Sequence, residues 1–186
     1  MTRRSDRVAS SLLAACLLII TCLESATGQA RPEADPVQVS VMPWRVNCTK
    51  AADGKSSDCQ MSRSMVLADS KQLLSRFTVN LFASSPNPSF LLQLPHGIYL
   101  PEGVSLRIDD LEPRTEPVQT CDPAGCYVGL GADRGFLTAL QRGSILKVNF
   151  QNIGRITVVI NFPLDEFTTA YANMITWTAA ETGAKD

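Results

Sequence analysis

Between Leu94 and Gly125 the chain repeats one turn design three times, and this repetition restricts its fold more than any other feature. Leu94-Pro95-His96-Gly97, Leu100-Pro101-Glu102-Gly103 and Asp122-Pro123-Ala124-Gly125 each place proline second and glycine fourth. The fixed φ of proline suits the second position of a type I turn, and glycine lets the chain leave in a new direction. Cys121 and Cys126 stand immediately outside the third turn. If its flanks pair as a hairpin, the two cysteines face each other across the ladder, at a separation of about 4.5 Å for a non-hydrogen-bonded pair, the short end of what a disulfide accepts. The sequence therefore predicts a stapled hairpin.

Alternation of apolar and polar residues, the period of a half-buried strand, extends this pattern in both directions. It predicts strands at 44–48, 59–66, 76–82, 90–94, 97–100, 104–108, 127–130, 145–150 and 157–162. So many short strands separated by Pro- and Gly-bearing turns argue for an all-β sandwich or barrel rather than a parallel sheet. Two helices interrupt them. Asp133 is placed to cap a short helix near 133–142, with Phe136, Leu137 and Leu140 on its apolar side and Gly143 as its stop. Asp165 precedes a second helix near 165–175, in which Phe167, Ala170, Tyr171 and Met174 recur three and four apart. That helix is expected to lie on the sheet and close one end of the core.

The N-terminus reads as a targeting segment. Three arginines within residues 1–7, an apolar run over 8–23 and small residues over 25–30 follow the order of a secretory signal peptide, with cleavage near Gly28 or Ala30. An uncleaved anchor helix is the first alternative, although the run falls short of the roughly 20 residues a span requires. Acylation at Cys16 is the second, since Leu13-Ala14-Ala15-Cys16 looks like a lipoprotein cleavage box. The expected organisation is thus a signal peptide at 1–30, a flexible lead at 31–42, one domain at 43–178 and a tail at 179–186, with no membrane span once the signal is removed. Cleavage would take three of 17 basic and two of 18 acidic side chains, leaving a nearly neutral chain. Its lysines and arginines are scattered, which disfavours nucleic acid and anionic membrane as partners.

Four cysteines remain after cleavage, and an even count in an exported chain points to disulfides. Three connectivities are open. Cys48–Cys59 with Cys121–Cys126 is favoured because each pair brackets a polar, turn-forming loop. A four-cysteine zinc site is the competing reading, but the spacings fit zinc ribbons poorly. Other chemistry has few carriers. His96, the single histidine, sits inside a Pro-x-Gly turn, and no Gly-x-Ser-x-Gly motif accompanies it. Asp109, Asp110 and Glu112 form an acidic cluster that a periplasmic hydrolase would use as a carboxylate pair. Solvated acids in a loop are the plainer reading. The chain is expected to be non-enzymatic, with no catalytic residue, cofactor or metal.

Taken together, the residues at 44–48, Cys59, LPHGIYLPEGVSLRID over 94–109, CDPAGC over 121–126, FLTALQRGSILKVNFQN over 136–152 and INFPLDEFTTAY over 160–171 resemble the invasion-associated locus B family of proteobacterial envelope proteins. The resemblance spans about 44–174. His96 stands where a small residue is more usual, and Asp165-Glu166 replaces the more usual glycine before Phe167. The resemblance implies an immunoglobulin-like antiparallel β-sandwich exported to the periplasm or outer cell envelope. It further implies a protein partner, in the envelope or on a host-cell surface, and in pathogenic members a part in host-cell invasion.

Overall fold

A computed structural model describes residues 38–50, 57–82, 84–85, 87–131 and 133–180, all within the compact unit Val37–Asp186. The expected signal peptide, most of the lead and the end of the tail lie outside the described residues. In chain order the elements are β1 (Val39–Val41), β2 (Arg45–Lys50), β3 (Ser57–Leu67), β4 (Leu73–Leu81), β5 (Ser89–Leu94), β6 (Val104–Ile108), β7 (Arg114–Glu116), β8 (Thr120–Asp122), β9 (Gly125–Leu130), α1 (Arg134–Arg142), β10 (Ile145–Gln151), β11 (Thr157–Pro163) and α2 (Phe167–Ala180). One sheet runs β1-β3-β4-β5-β9-β8, with β2 also paired to β3, and the other runs β11-β10-β6-β7. Every pairing is antiparallel. The two sheets stack, as the all-β sandwich expectation requires.

Alternation decides which face is buried. Cys59, Met61 and Met65 on β3, Phe77, Val79 and Leu81 on β4, and Phe90, Leu92 and Leu94 on β5 point into the core. They meet Leu106 on β6, Leu146, Val148 and Phe150 on β10, and Ile160 and Phe162 on β11. Phe77 sits at the centre, its ring 6.2 Å from both Phe90 and Phe162 and 6.5 Å from Trp44. Burying one such phenylalanine contributes about 1.5–3 kcal/mol. The helices seal the sides. Asp133 accepts hydrogen bonds from Gly135 N and Phe136 N, the capping its position predicts, and Phe136 packs edge-on to Phe90.

Several boundaries differ from the pattern. Residues 97–100 do not form a strand: Ile98 makes a single bridge to Asn152, and a 3-10 turn at Leu100–Glu102 follows. Two Pro-x-Gly turns six residues apart leave too little extended chain between them. Part of the expected loose lead is ordered, since β1 pairs Val39–Val41 with Leu67–Met65. The short edge strands β7 and β8, three residues each with none fully buried, carry no readable alternation. Helix α2 runs to Ala180, beyond both the expected end near 175 and the domain limit at 178.

Asp165 does not cap that helix. Its carboxylate is taken by Arg63, whose guanidinium donates to Oδ1 at 2.8 Å and Oδ2 at 3.0 Å, and also to the carbonyls of Pro163 and Asp165. Arg63 lies in the inward row of β3 with its side chain only 8% exposed. Trp44 completes the junction, donating from Nε1 to the Asp165 carbonyl and stacking edge-on to Phe167 at 5.2 Å.

Arg63 is buried whereas the Asp165 side chain is 59% exposed, so Asp165→Ala leaves a buried guanidinium short of its acceptor and should cost about 1–3 kcal/mol in denaturant unfolding. The double variant Arg63→Met/Asp165→Ala should regain much of that loss. Phe77→Ala should cost about 3–5 kcal/mol by the same measurement.

Candidate functional site: a cationic groove on the larger sheet

Two of the residues singled out for chemistry, Asp109 and His96, serve the scaffold. Asp109 takes a left-handed φ of 46° where the chain leaves β6, and its two carboxylate oxygens accept from Ser144 N and Ile145 N, both at 2.9 Å. This clamps the end of β6 to the start of β10. Asp110 and Glu112 are exposed in the loop that follows. Of the three acids, Asp109 is thus committed to backbone N–H groups, and Glu112 lines a groove beside α1. His96 is exposed, with Nε2 2.6 Å from the carbonyl oxygen of Asp122, so the ring tethers the β8–β9 hairpin to the chain after β5. Among the described residues no group of His, Cys, Asp and Glu is placed to hold a metal ion.

The four cysteines form Cys48–Cys59, joining β2 to β3, and Cys121–Cys126, joining β8 to β9, with Cα separations of 4.1 and 4.0 Å. In each case the partners sit directly opposite in the register. In the hairpin, Asp122 Oδ1 accepts from Ala124 N, Gly125 N and the Tyr127 hydroxyl. Gly125 is required there, because a Cβ at its φ of 151° would lie 2.5 Å from the Leu94 carbonyl oxygen.

What sequence reading missed is a concentration of charge on the outward face of the larger sheet. A groove of about 430 Å³ runs over β2, β3 and β4, and Arg45, Lys71 and Arg76 all line it. Arg45 is remote in sequence from the other two, and the three read as scattered. The ladder brings them together, because Arg45 lies opposite Ser62 and Arg76 opposite Ser64. Arg76 Nε donates to Ser64 Oγ at 3.0 Å, which orients its guanidinium. Lys71, at a φ of 58°, donates to the Ala68 carbonyl at 2.7 Å. Among the described residues none of the three is ion-paired. Asp69 stands in the same turn as Lys71, its carboxyl held below the ordinary value chiefly by hydrogen bonding from Ser70, with the Lys71 charge adding to the effect.

A second groove, about 210 Å³, lies between α1 and the β6–β7 hairpin. Its arginine is already committed: Arg114 pairs with Glu116 and with Asp133 at 3.1 Å, and lies 5.3 Å from the Phe136 ring centre. The cations of the larger groove, by contrast, are in no salt bridge among the described residues.

Comparison with known proteins places this architecture. The family profile described as "Invasion associated locus B (IalB) protein" matches residues 44–174, from Trp44 in the junction to Met174 in the core face of α2. The chain belongs to the invasion-associated locus B family. The crystal structure of invasion associated protein B from Bartonella henselae is similar, with a TM-score of 0.61 and 27% identity over 72% of this chain and 92% of that one. "Invasion protein B" of Bartonella bacilliformis is 36% identical over 107 residues, 57% of this chain and 55% of that protein. An "Invasion protein B homolog" of Brucella abortus strain 2308 is 28% identical over 115 residues, 62% of this chain and 65% of that protein. The match thus spans less than two thirds of either relative's length. In this IalB-family chain the matched range holds both disulfides and all three groove cations.

Non-reducing peptide mapping should recover Cys48 linked to Cys59 and Cys121 linked to Cys126, with no other cross-link. Replacing Cys121 and Cys126 by serine should lower stability by about 2 kcal/mol, and the Cys48/Cys59 pair slightly more, because its ring is longer.

Proposed function

We propose that this IalB-family chain is an exported, non-enzymatic protein of the cell envelope that binds a protein partner, in the envelope or on a host-cell surface, and so contributes to host-cell entry. The family match over residues 44–174 carries the reading, since its relatives are named for invasion. Two structural facts support a binding rather than a catalytic role. His96 and Asp109 are spent on holding turns, and the larger sheet offers a rigid face braced by two disulfides. Export supports the disulfides in turn, because they persist in oxidising compartments. Among the described residues no helix is long and apolar enough to cross a membrane.

The test is a deletion strain assayed for entry into cultured host cells. Entry should fall several-fold and return when the wild-type gene is restored. A deletion strain that enters as well as its parent overturns the invasion role. Fractionation should place the protein in the periplasm or outer envelope with its N-terminus after Gly28 or Ala30; retention of the full leader or a lipid on Cys16 would redirect the localisation. An Asp109→Ala/Asp110→Ala/Glu112→Ala variant that unfolds more readily yet restores entry at permissive temperature would dispose of the hydrolase alternative.

A further inference from the structure

We infer that the groove over β2, β3 and β4 is the docking site for the partner, and that its ligand is an acidic, partly apolar peptide segment. This rests on the reading that the protein works by binding a protein. Arg45, Lys71 and Arg76 reach the groove from β2, the β3–β4 turn and β4, so three positive charges stand over one cleft with no ion-paired carboxylate among the described residues. Clefts lined by one sign of charge concentrate the opposite sign at their mouth. Two of the three are arginines, whose planar forks match carboxylates in two-point contact.

The remaining lining selects the ligand class. Asn47, Gln60, Ser62 and Ser64 supply amides and hydroxyls able to donate to and accept from a peptide backbone. Met42, Pro43, Val66 and Leu73 form apolar walls. A free phosphate or a sulfated sugar would leave these walls without a counterpart, whereas a segment that alternates acidic and apolar side chains satisfies both. The groove volume falls within the range of specific ligand sites.

The test is an NMR titration of the disulfide-bonded protein with three probes: a peptide alternating glutamate and leucine, a heparin-derived oligosaccharide and inorganic sulfate. The peptide should shift the amides of Arg45, Asn47, Ser62, Ser64 and Arg76, and binding should weaken with added salt. Arg45→Ser/Lys71→Ser/Arg76→Ser should weaken it by about tenfold or more, the loss of one or two charge-assisted contacts, with the thermal midpoint nearly unchanged. A Val66→Ser variant, which keeps all three charges, should also weaken the peptide and leave sulfate unaffected. Tighter binding of the oligosaccharide at the groove overturns the peptide assignment, and peptide shifts lying elsewhere overturn the site. Complementing the deletion strain with the triple variant separates the two readings. Restored entry would reject the groove and leave the invasion role standing, whereas loss of entry by a folded variant supports both.

Discussion

The pairing of Arg63 with Asp165 is the constraint on which the rest of the fold depends. A cation in the inward row of β3, between Met61 and Met65, is tolerated only if its charge is met, and here both terminal guanidinium nitrogens are hydrogen-bonded while Nε has no partner. Asp165 meets the charge from the turn that follows β11, so the bond runs from the larger sheet to the far end of the smaller one. The same guanidinium holds the carbonyls of Pro163 and Asp165, and Trp44 holds the latter from the start of β2. Three segments remote in sequence are thereby fixed at one point. The entry of α2 is set by it, which brings Phe167 under Trp44 and closes the core. The pair also pins register, because a one-residue slip of β3 would turn Arg63 to solvent and drive Gln60 and Ser62 inward.

At the other margin of the larger sheet the chain solves a different problem. A short edge strand such as β8 presents unpaired backbone groups and frays readily. Here it is held covalently by Cys121–Cys126 and then tied to β5 through Gln93 Nε2 on the Ala124 carbonyl and His96 on the Asp122 carbonyl. His96 thus has a structural role. Glu166, just before α2, takes a φ of 61°, a conformation glycine adopts without strain. The adjoining Asp165, whose side chain anchors Arg63, lies just before this strained residue.

How much of this was legible in the sequence follows from range. Strands such as β6 and β10, with one face buried, wrote their alternation plainly, and the Asp133 cap and Gly143 stop bounded α1 closely. The hairpin disulfide was legible because its turn and its cysteines lie within six residues. β1, β7 and β8 were not, since a three-residue edge strand with no fully buried side chain has no period to detect. The role of Asp165 just before α2 is not legible locally, because a cap and an ion-pair partner share a letter and only the placement of Arg63, 102 positions away, distinguishes them.

The cationic groove was illegible for a more general reason, and that reason bears on how the face arises. No local window contains Arg45, Lys71 and Arg76; each is an ordinary outward residue of its own segment. Only the pairing of β2 with β3 and β3 with β4 makes them neighbours. The apolar walls have a similar origin. Along most of β3 the outward row is polar, Asp58, Gln60, Ser62 and Ser64, but the register shifts between Met65 and Val66. A bulge bends its strand and re-aims the side chains beyond it. Leu73, which alternation from Ser75, Phe77 and Val79 would turn inward, instead pairs across that irregularity with Val66, the next residue of the outward row, and both line the groove. The break in the ladder thus adds Leu73 to the apolar wall beside Val66, next to the turn that carries Lys71, while Arg45 and Arg76 reach the same face by plain alternation.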